Sequence, residues 1–122
     1  VTGNIDSYDK VCRNMAKLTD RSVVSVDYRL APEYRFPAAP EDCYAVAREI
    51  FLDLSLFGMR ADQITLIGDS AGANLAAAVS LMARDRGEFL PRSQILIYPA
   101  TAADHTENSP FPSCVKTAPT IC

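Results

Sequence analysis

Five residues near the middle of the chain have the types and the spacing that acyl-transfer chemistry needs. They are Gly68-Asp69-Ser70-Ala71-Gly72, a Gly-x-Ser-x-Gly pattern. At average residue usage the pattern arises by chance in roughly 4% of chains this long, so its context decides its value. That context is a β-branched run ending at Ile67 and an alanine- and leucine-rich helical run beginning at Ser70. A serine on a sharp strand-to-helix turn projects its hydroxyl from the carboxyl end of a sheet, where it can attack an electrophilic carbon. Gly68 and Gly72 are expected to let strand and helix approach where a Cβ would clash. The Ala71 N–H, at the helix start, is placed to stabilise a developing oxyanion by its hydrogen bond and by the helix dipole. The competing reading is a small-residue turn without chemistry.

The elements that must hold this turn follow from periodicity. Residues 6–20 read as an amphipathic helix with Tyr8, Val11, Cys12, Met15 and Leu18 on one stripe. Residues 22–28 are rich in β-branched side chains and too short for a helix, which predicts a buried strand. The prolines of Arg29–Pro37 exclude regular structure and imply a rigid loop. Pro40 then opens a second helix, with Glu41 and Asp42 in its dipole-favoured first turn and Gly58 as its stop. Tyr44, Ala47, Ile50, Phe51 and Leu54 mark the apolar face of that helix. A second strand is expected at 63–67, a helix from Ser70 to about Arg84 ending near Gly87, and a third strand at 94–98 halted by Pro99.

This alternation implies an α/β fold, a parallel sheet with flanking helices in which three strands are recognisable. Periodicity stops after Thr101, where Pro110, Pro112 and Pro119 punctuate the chain. The organisation read from this is a core over residues 1–105 and an irregular tail over 106–122.

Composition narrows the class of function. The 122 residues are 48% hydrophobic and 22% charged with net charge −3, and no basic run suggests a nucleic-acid surface. No apolar run is long enough to span a bilayer, and no signal peptide is read at the start. Cys12, Cys43, Cys114 and Cys122 show no Cys-x-x-Cys spacing, and His105 is the only histidine, so a zinc site is not expected. Free thiols in a cytoplasmic protein are expected, with Cys12 and Cys43 packed on helix faces. A Cys114–Cys122 disulfide is left open.

Three blocks carry a family resemblance. They are Asp27-Tyr28-Arg29-Leu30-Ala31-Pro32-Glu33 with Phe36-Pro37-Ala38-Ala39, then Gly68-Asp69-Ser70-Ala71-Gly72-Ala73-Asn74-Leu75-Ala76, then Ile97-Tyr98-Pro99. In order and separation they resemble the hormone-sensitive-lipase-like esterases, a branch of the α/β-hydrolases, over about residues 1–109. The resemblance implies a carboxylester hydrolase for short or medium acyl chains, using neither metal nor cofactor. Ser70 would be the nucleophile and Ala71 an oxyanion donor. Asp69 would support the elbow from behind, and the loop Arg29–Pro37 would be a structural brace.

The chain departs from that family in what it contains. The family's His-Gly-Gly-Gly oxyanion motif and the strand carrying it precede the matched segment, and its triad aspartate and histidine follow beyond Tyr98-Pro99. In the family's strand order, 1-2-4-3-5-6-7-8, the strands recognised here are the fourth, fifth and sixth. A gap is therefore expected between Val23–Tyr28 and Ile64–Ile67. Exposed sheet edges of this kind invite pairing between copies, so a homo-oligomer is one expectation.

A base for Ser70 has one candidate. His105 follows the third strand and so leaves the sheet on the Ser70 side. A Ser70–His105 dyad oriented by Asp104 or another acid is geometrically open, although adjacent side chains usually diverge. The other reading is an exposed loop histidine. Two further classes compete with an esterase on a small-molecule ester: an inactive α/β-hydrolase remnant or interaction module, and a flavodoxin-like binding domain. The last lacks a phosphate-cradling glycine loop.

Overall fold

The computed structural model describes residues 5–54 and 58–100. Asp104, His105, Cys114, Cys122 and the predicted irregular tail 106–122 lie outside the described residues. The elements in chain order are helix α1 (Ile5–Thr19), helix α2 (Ala38–Leu52), a 3-10 turn (Ala61–Gln63), strand β1 (Thr65–Asp69), helix α3 (Ala71–Arg86) and strand β2 (Ser93–Ile97). β1 and β2 pair in parallel, in register from Thr65 opposite Ser93 to Asp69 opposite Ile97. The intervening α3 is the crossover helix, so the α/β class read from the sequence holds.

The core sits where α2 and α3 meet. Tyr44, Ala47 and Phe51 of α2 are buried against Val79 and Ala83 of α3, with Phe89 completing the cluster. Phe89 stacks on Phe51 at a ring separation of 4.6 Å and lies 5.4 Å from the Tyr44 ring. Charges close its rim. Tyr44 donates its hydroxyl proton to Glu88 Oε1 at 2.7 Å, Glu88 also takes Nε of Arg48, and the Arg86 guanidinium lies 4.4 Å from the Tyr44 ring centre. The predicted face of α2 is thus the one used, although the helix starts at Ala38 rather than Pro40. Pro40 remains in the first turn, where its missing N–H costs nothing.

α3 ends as expected, with Gly87 at φ +66 and its N–H bonded to Ala83 O. Strand β1 begins two residues later than predicted. Gln63 and Ile64 are drawn into the preceding turn by mutual bonds between Arg60 and Gln63, and Gly68 and Asp69 are paired strand residues instead.

The strand expected at 22–28 does not form: residues 21–30 belong to neither helix nor strand, and Val24 is 51% exposed rather than buried. A strand exists only through its ladder. The backbone donors fixed here are Arg21 N–H, to Ala16 O, and Arg29 N–H, to the Asp42 side chain. Between this segment and β1 lies a cleft of about 1810 Å³, lined by Val23, Val26 and Tyr28 on one side and Ile64, Leu66 and Gly68 on the other. The gap expected in the strand order is therefore present and open. The apolar stripe of α1 also lines it: Tyr8, Val11, Cys12 and Met15 border the cleft, and α1 buries no side chain. Among the described residues no helix is long and apolar enough to cross a membrane.

The proline loop is pinned to α2 through Asp42. Asp42 accepts the backbone N–H of Arg29 at 2.9 Å and two guanidinium N–H groups at 2.8 Å each. The guanidinium bonds and then the backbone bond hold the Asp42 carboxyl below the ordinary aspartate range. With the folded pKa lower than the unfolded one, this contribution to stability is complete above about pH 4 and is lost as pH falls through the lowered value. Asp42→Asn is therefore expected to narrow the difference between urea midpoints measured at pH 7 and pH 3.

Candidate active site

The turn between β1 and α3 is built around a backbone crossing. A Cβ added to Gly68 would lie 2.2 Å from Gly72 O and 2.7 Å from Ala73 N, distances no side chain tolerates. Only glycine lets β1 feed directly into α3 here. Gly72 is different. Its added Cβ would meet nothing nearer than Asp69 Oδ1 at 3.9 Å, so among the described residues the expected clash at Gly72 is absent. The glycine pair is asymmetric: Gly68 supplies the room and Gly72 supplies the carbonyl that occupies it.

Ser70 takes up the bend. Its backbone sits at φ +51, ψ −115, a conformation that costs a residue with a Cβ on the order of 1–3 kcal/mol. Two bonds hold it there: Ser70 N–H to Ile97 O at 3.0 Å, extending the parallel ladder by one residue, and Asn74 N–H to Ser70 O at 3.2 Å, the first bond of the α3 ladder. Ser70 is half-buried and opens onto the large cleft together with Ala71 and Gly72. Among the described residues no group hydrogen-bonds its hydroxyl or takes the Ala71 N–H. A free hydroxyl and a free N–H at a helix start thus share one water-accessible wall.

The electrostatics behind the turn centre on Asp69. Its Oδ2 accepts the hydroxyl of Tyr8 from α1 at 2.8 Å and the hydroxyl of Tyr98, just past β2, at 3.2 Å. Both phenols are held above their ordinary pKa, in each case chiefly because the hydroxyl donates to this carboxylate. Burial raises Tyr28 in the same wall. Tyr98 itself has φ +38, and Asn74 Nδ2 donates to Ala100 O, so the segment leaving β2 is tied to both β1 and α3.

Asp69 fell within the pattern read from the sequence, but its two tyrosine partners did not. Tyr8 reads as part of an apolar stripe, and Tyr98 as the end of the third strand within the Ile97-Tyr98-Pro99 block. Their common signal is a tyrosine near the edge of an element, whose hydroxyl can reach a carboxylate while the ring stays exposed. Cys12 and Cys43 are free thiols, and burial pushes Cys43 up to about 11, which keeps it protonated near neutrality.

The asymmetry of the glycines gives a direct test. Gly68→Ala is expected to cost about 3 kcal/mol or more, because neither backbone segment can yield. Gly72→Ala is expected to be neutral or to stabilise by about 0.5–1 kcal/mol, as in an ordinary helix. Urea denaturation of the two variants beside wild type reads the difference, and equal losses would refute the asymmetry.

The chain is similar to known proteins. A family model described as the alpha/beta hydrolase fold matches residues 1–121. The chain is 42% identical over 106 residues to Esterase LipI of Mycobacterium tuberculosis, covering 87% of this chain and 33% of that protein. It is 38% identical over 104 residues to an ethyl acetate hydrolase of Pseudomonas putida, covering 84% of this chain and 33% of that one. Among solved structures, a hyperthermophilic esterase from the archaeon Pyrobaculum calidifontis superposes with a TM-score of 0.80 at 49% identity, covering 93% of this chain and 35% of the other. The chain thus spans about a third of the length of the curated relatives it matches. With a strand-glycine-serine-helix turn and a family match along nearly its whole length, this chain belongs to the α/β-hydrolase family.

Proposed function

We propose that this chain hydrolyses carboxylic esters of short to medium acyl length through an acyl-enzyme on Ser70. The observation that carries the proposal is the Ser70 backbone at φ +51 beside the Gly68–Gly72 crossing, with Ser70 lining an open cleft. Strain of this kind persists only where surrounding structure enforces it, and it collects at reactive turns. The esterase names of the relatives support the reading.

In the proposed reaction Ser70 Oγ gives its proton to a base as it bonds to the ester carbon. The electron pair displaced onto the carbonyl oxygen is met by the Ala71 N–H, the first helical donor of α3. The tetrahedral species collapses by breaking the bond to the alkoxy oxygen, and the leaving alcohol takes the proton. Water then repeats the sequence on the acyl group, releasing acid and restoring Ser70. His105 is the base candidate within this chain, and Gly68, Asp69 and Gly72 form the elbow. Residues 1–105 are the partial α/β-hydrolase core of this reading, with 106–122 as an irregular tail. A cytoplasmic location belongs to the same reading, supported by the free thiols of Cys12 and Cys43. A small ester, rather than nucleic acid, suits a chain of net charge −3.

A second reading stands beside this one. An inactive remnant or interaction module would keep the elbow as a fold element alone. Hydrolysis of p-nitrophenyl butyrate and the intact mass after fluorophosphonate treatment separate the two. On the esterase reading, wild type turns over and gains one adduct, Ser70→Ala loses both, and His105→Ala loses at least about a hundredfold in rate. Folded protein that neither turns over nor labels establishes the second reading, and a fully active His105→Ala removes that residue as the base.

Across the cleft from β1 lie residues 22–28, and among the described residues neither that segment nor the outer edge of β1 has a strand partner. We propose that copies of this chain associate through these edges, since unpaired strand edges template pairing. Small-angle scattering is expected to give a mass above 13.3 kDa; a monodisperse monomer at that mass overturns the association.

A further inference from the structure

Behind Ser70, three segments distant in sequence meet on one oxygen atom. Asp69 Oδ2 takes Tyr8 OH from α1 at 2.8 Å and Tyr98 OH from the segment after β2 at 3.2 Å, sequence separations of 61 and 29 residues. The other oxygen, Oδ1, lies over the first turn of α3, 3.9 Å from where a Gly72 Cβ would stand. Asp69 is also the last residue of β1, paired with Ile97, and its successor is Ser70. One carboxylate therefore ties α1, the end of β1 and the exit from β2.

What that tie opposes is visible in the backbone. Ser70 at φ +51 and Tyr98 at φ +38 both occupy the region that side-chain-bearing residues avoid, and they flank the same pair of strand ends. Left to itself, either residue would relax towards negative φ and swing the turn. The bond from Ser70 N–H to Ile97 O resists this on the β2 side. The Tyr98 hydroxyl resists it from the next residue along, and Tyr8 holds the carboxylate from the opposite flank.

We propose that Tyr8 and Tyr98 are positioning residues for Ser70, acting through Asp69 as a two-pronged latch that holds the elbow in its strained conformation. The inference deepens the esterase reading and rests on it for its link to reactivity; the latch itself is a matter of backbone geometry. Both hydroxyls bond Asp69 and not Ser70. Each hydroxyl supplies one of two donors to a shared acceptor, so losing one leaves the other in place, and losing both frees the turn.

The variants that isolate the latch are Y8F, Y98F and Y8F/Y98F, which keep both rings and remove only the hydroxyls. Y34F, whose ring lies over Arg29 away from the elbow, is the control. The double variant is expected to lower kcat and the rate of Ser70 phosphonylation about tenfold or more with KM within about twofold, since displacement of a reacting group by about 1 Å can cost a hundredfold. Each single variant falls short of half that loss on a logarithmic scale. Asp69→Ala is expected to match the double variant, and Asp69→Asn, which retains a side-chain acceptor, to recover most of the rate.

A second readout does not depend on activity. Amide exchange at Ser70, whose N–H is held by Ile97 O, is expected to rise about tenfold in the double variant. Exchange at Gly87, held by Ala83 O at the far end of α3, stays unchanged. Exchange rising equally at both sites marks general destabilisation and overturns the latch, as does a double variant indistinguishable from wild type. Wild type that never labels while the local exchange pattern appears leaves the latch standing and removes the esterase reading. Wild type that labels while every variant labels equally well does the reverse.

Discussion

The missing Cβ of Gly68 is the constraint on which the rest of the turn depends. The Gly72 carbonyl and the Ala73 amide fill the space a side chain would take, which brings the end of β1 into direct contact with the first turn of α3. With those two backbones in contact, the connecting residue has no extended or helical option. Ser70 is bent to φ +51, and its side chain and the Ala71 N–H come to the same wall. The strain at Ser70 is small beside the burial that sets it. Tyr44, Phe51 and Phe89 clamp α2 onto the far half of α3, so the helix is held at a distance from its stressed end.

The two halves of the described chain differ in how they are secured. From α2 to β2 the elements interlock through aromatic stacking, a parallel ladder and the Arg48–Glu88 and Arg86–Glu41 ion pairs. From α1 through residue 30 the chain is held at its ends and at isolated points: Tyr8 on Asp69, and Arg29 on Asp42. Between these points its apolar side chains face an open cleft instead of a core. The sequence of this segment is coherent with burial, as its β-branched run shows, but burial of a strand needs neighbours on both edges.

That distinction also sets how much was legible from residues alone. Elements whose partners are adjacent in the chain were read closely. The face of α2 was identified by Tyr44, Ala47 and Phe51, and the end of α3 by Gly87, because periodicity and a left-handed glycine report local geometry. Residues 22–28 read as a strand and form none, because β-branched composition reports a preference, whereas a strand is a relation between two segments. The elbow was legible through its glycines, though not the asymmetry between them, which depends on where the helix backbone lies. Tyr8 and Tyr98 were not legible as a pair, since nothing in a linear pattern shows that residues 8, 69 and 98 converge on one oxygen atom.

α1 buries no side chain, yet one of its residues bonds the carboxylate next to Ser70. Docking of this helix and the state of the elbow are therefore linked equilibria. Whatever favours the seated helix favours the strained serine, and by thermodynamic reciprocity a group that binds the strained serine must tighten the helix by the same factor. A peripheral helix with little hold of its own thus becomes a reporter, and a point of control, for the most constrained residue in the chain.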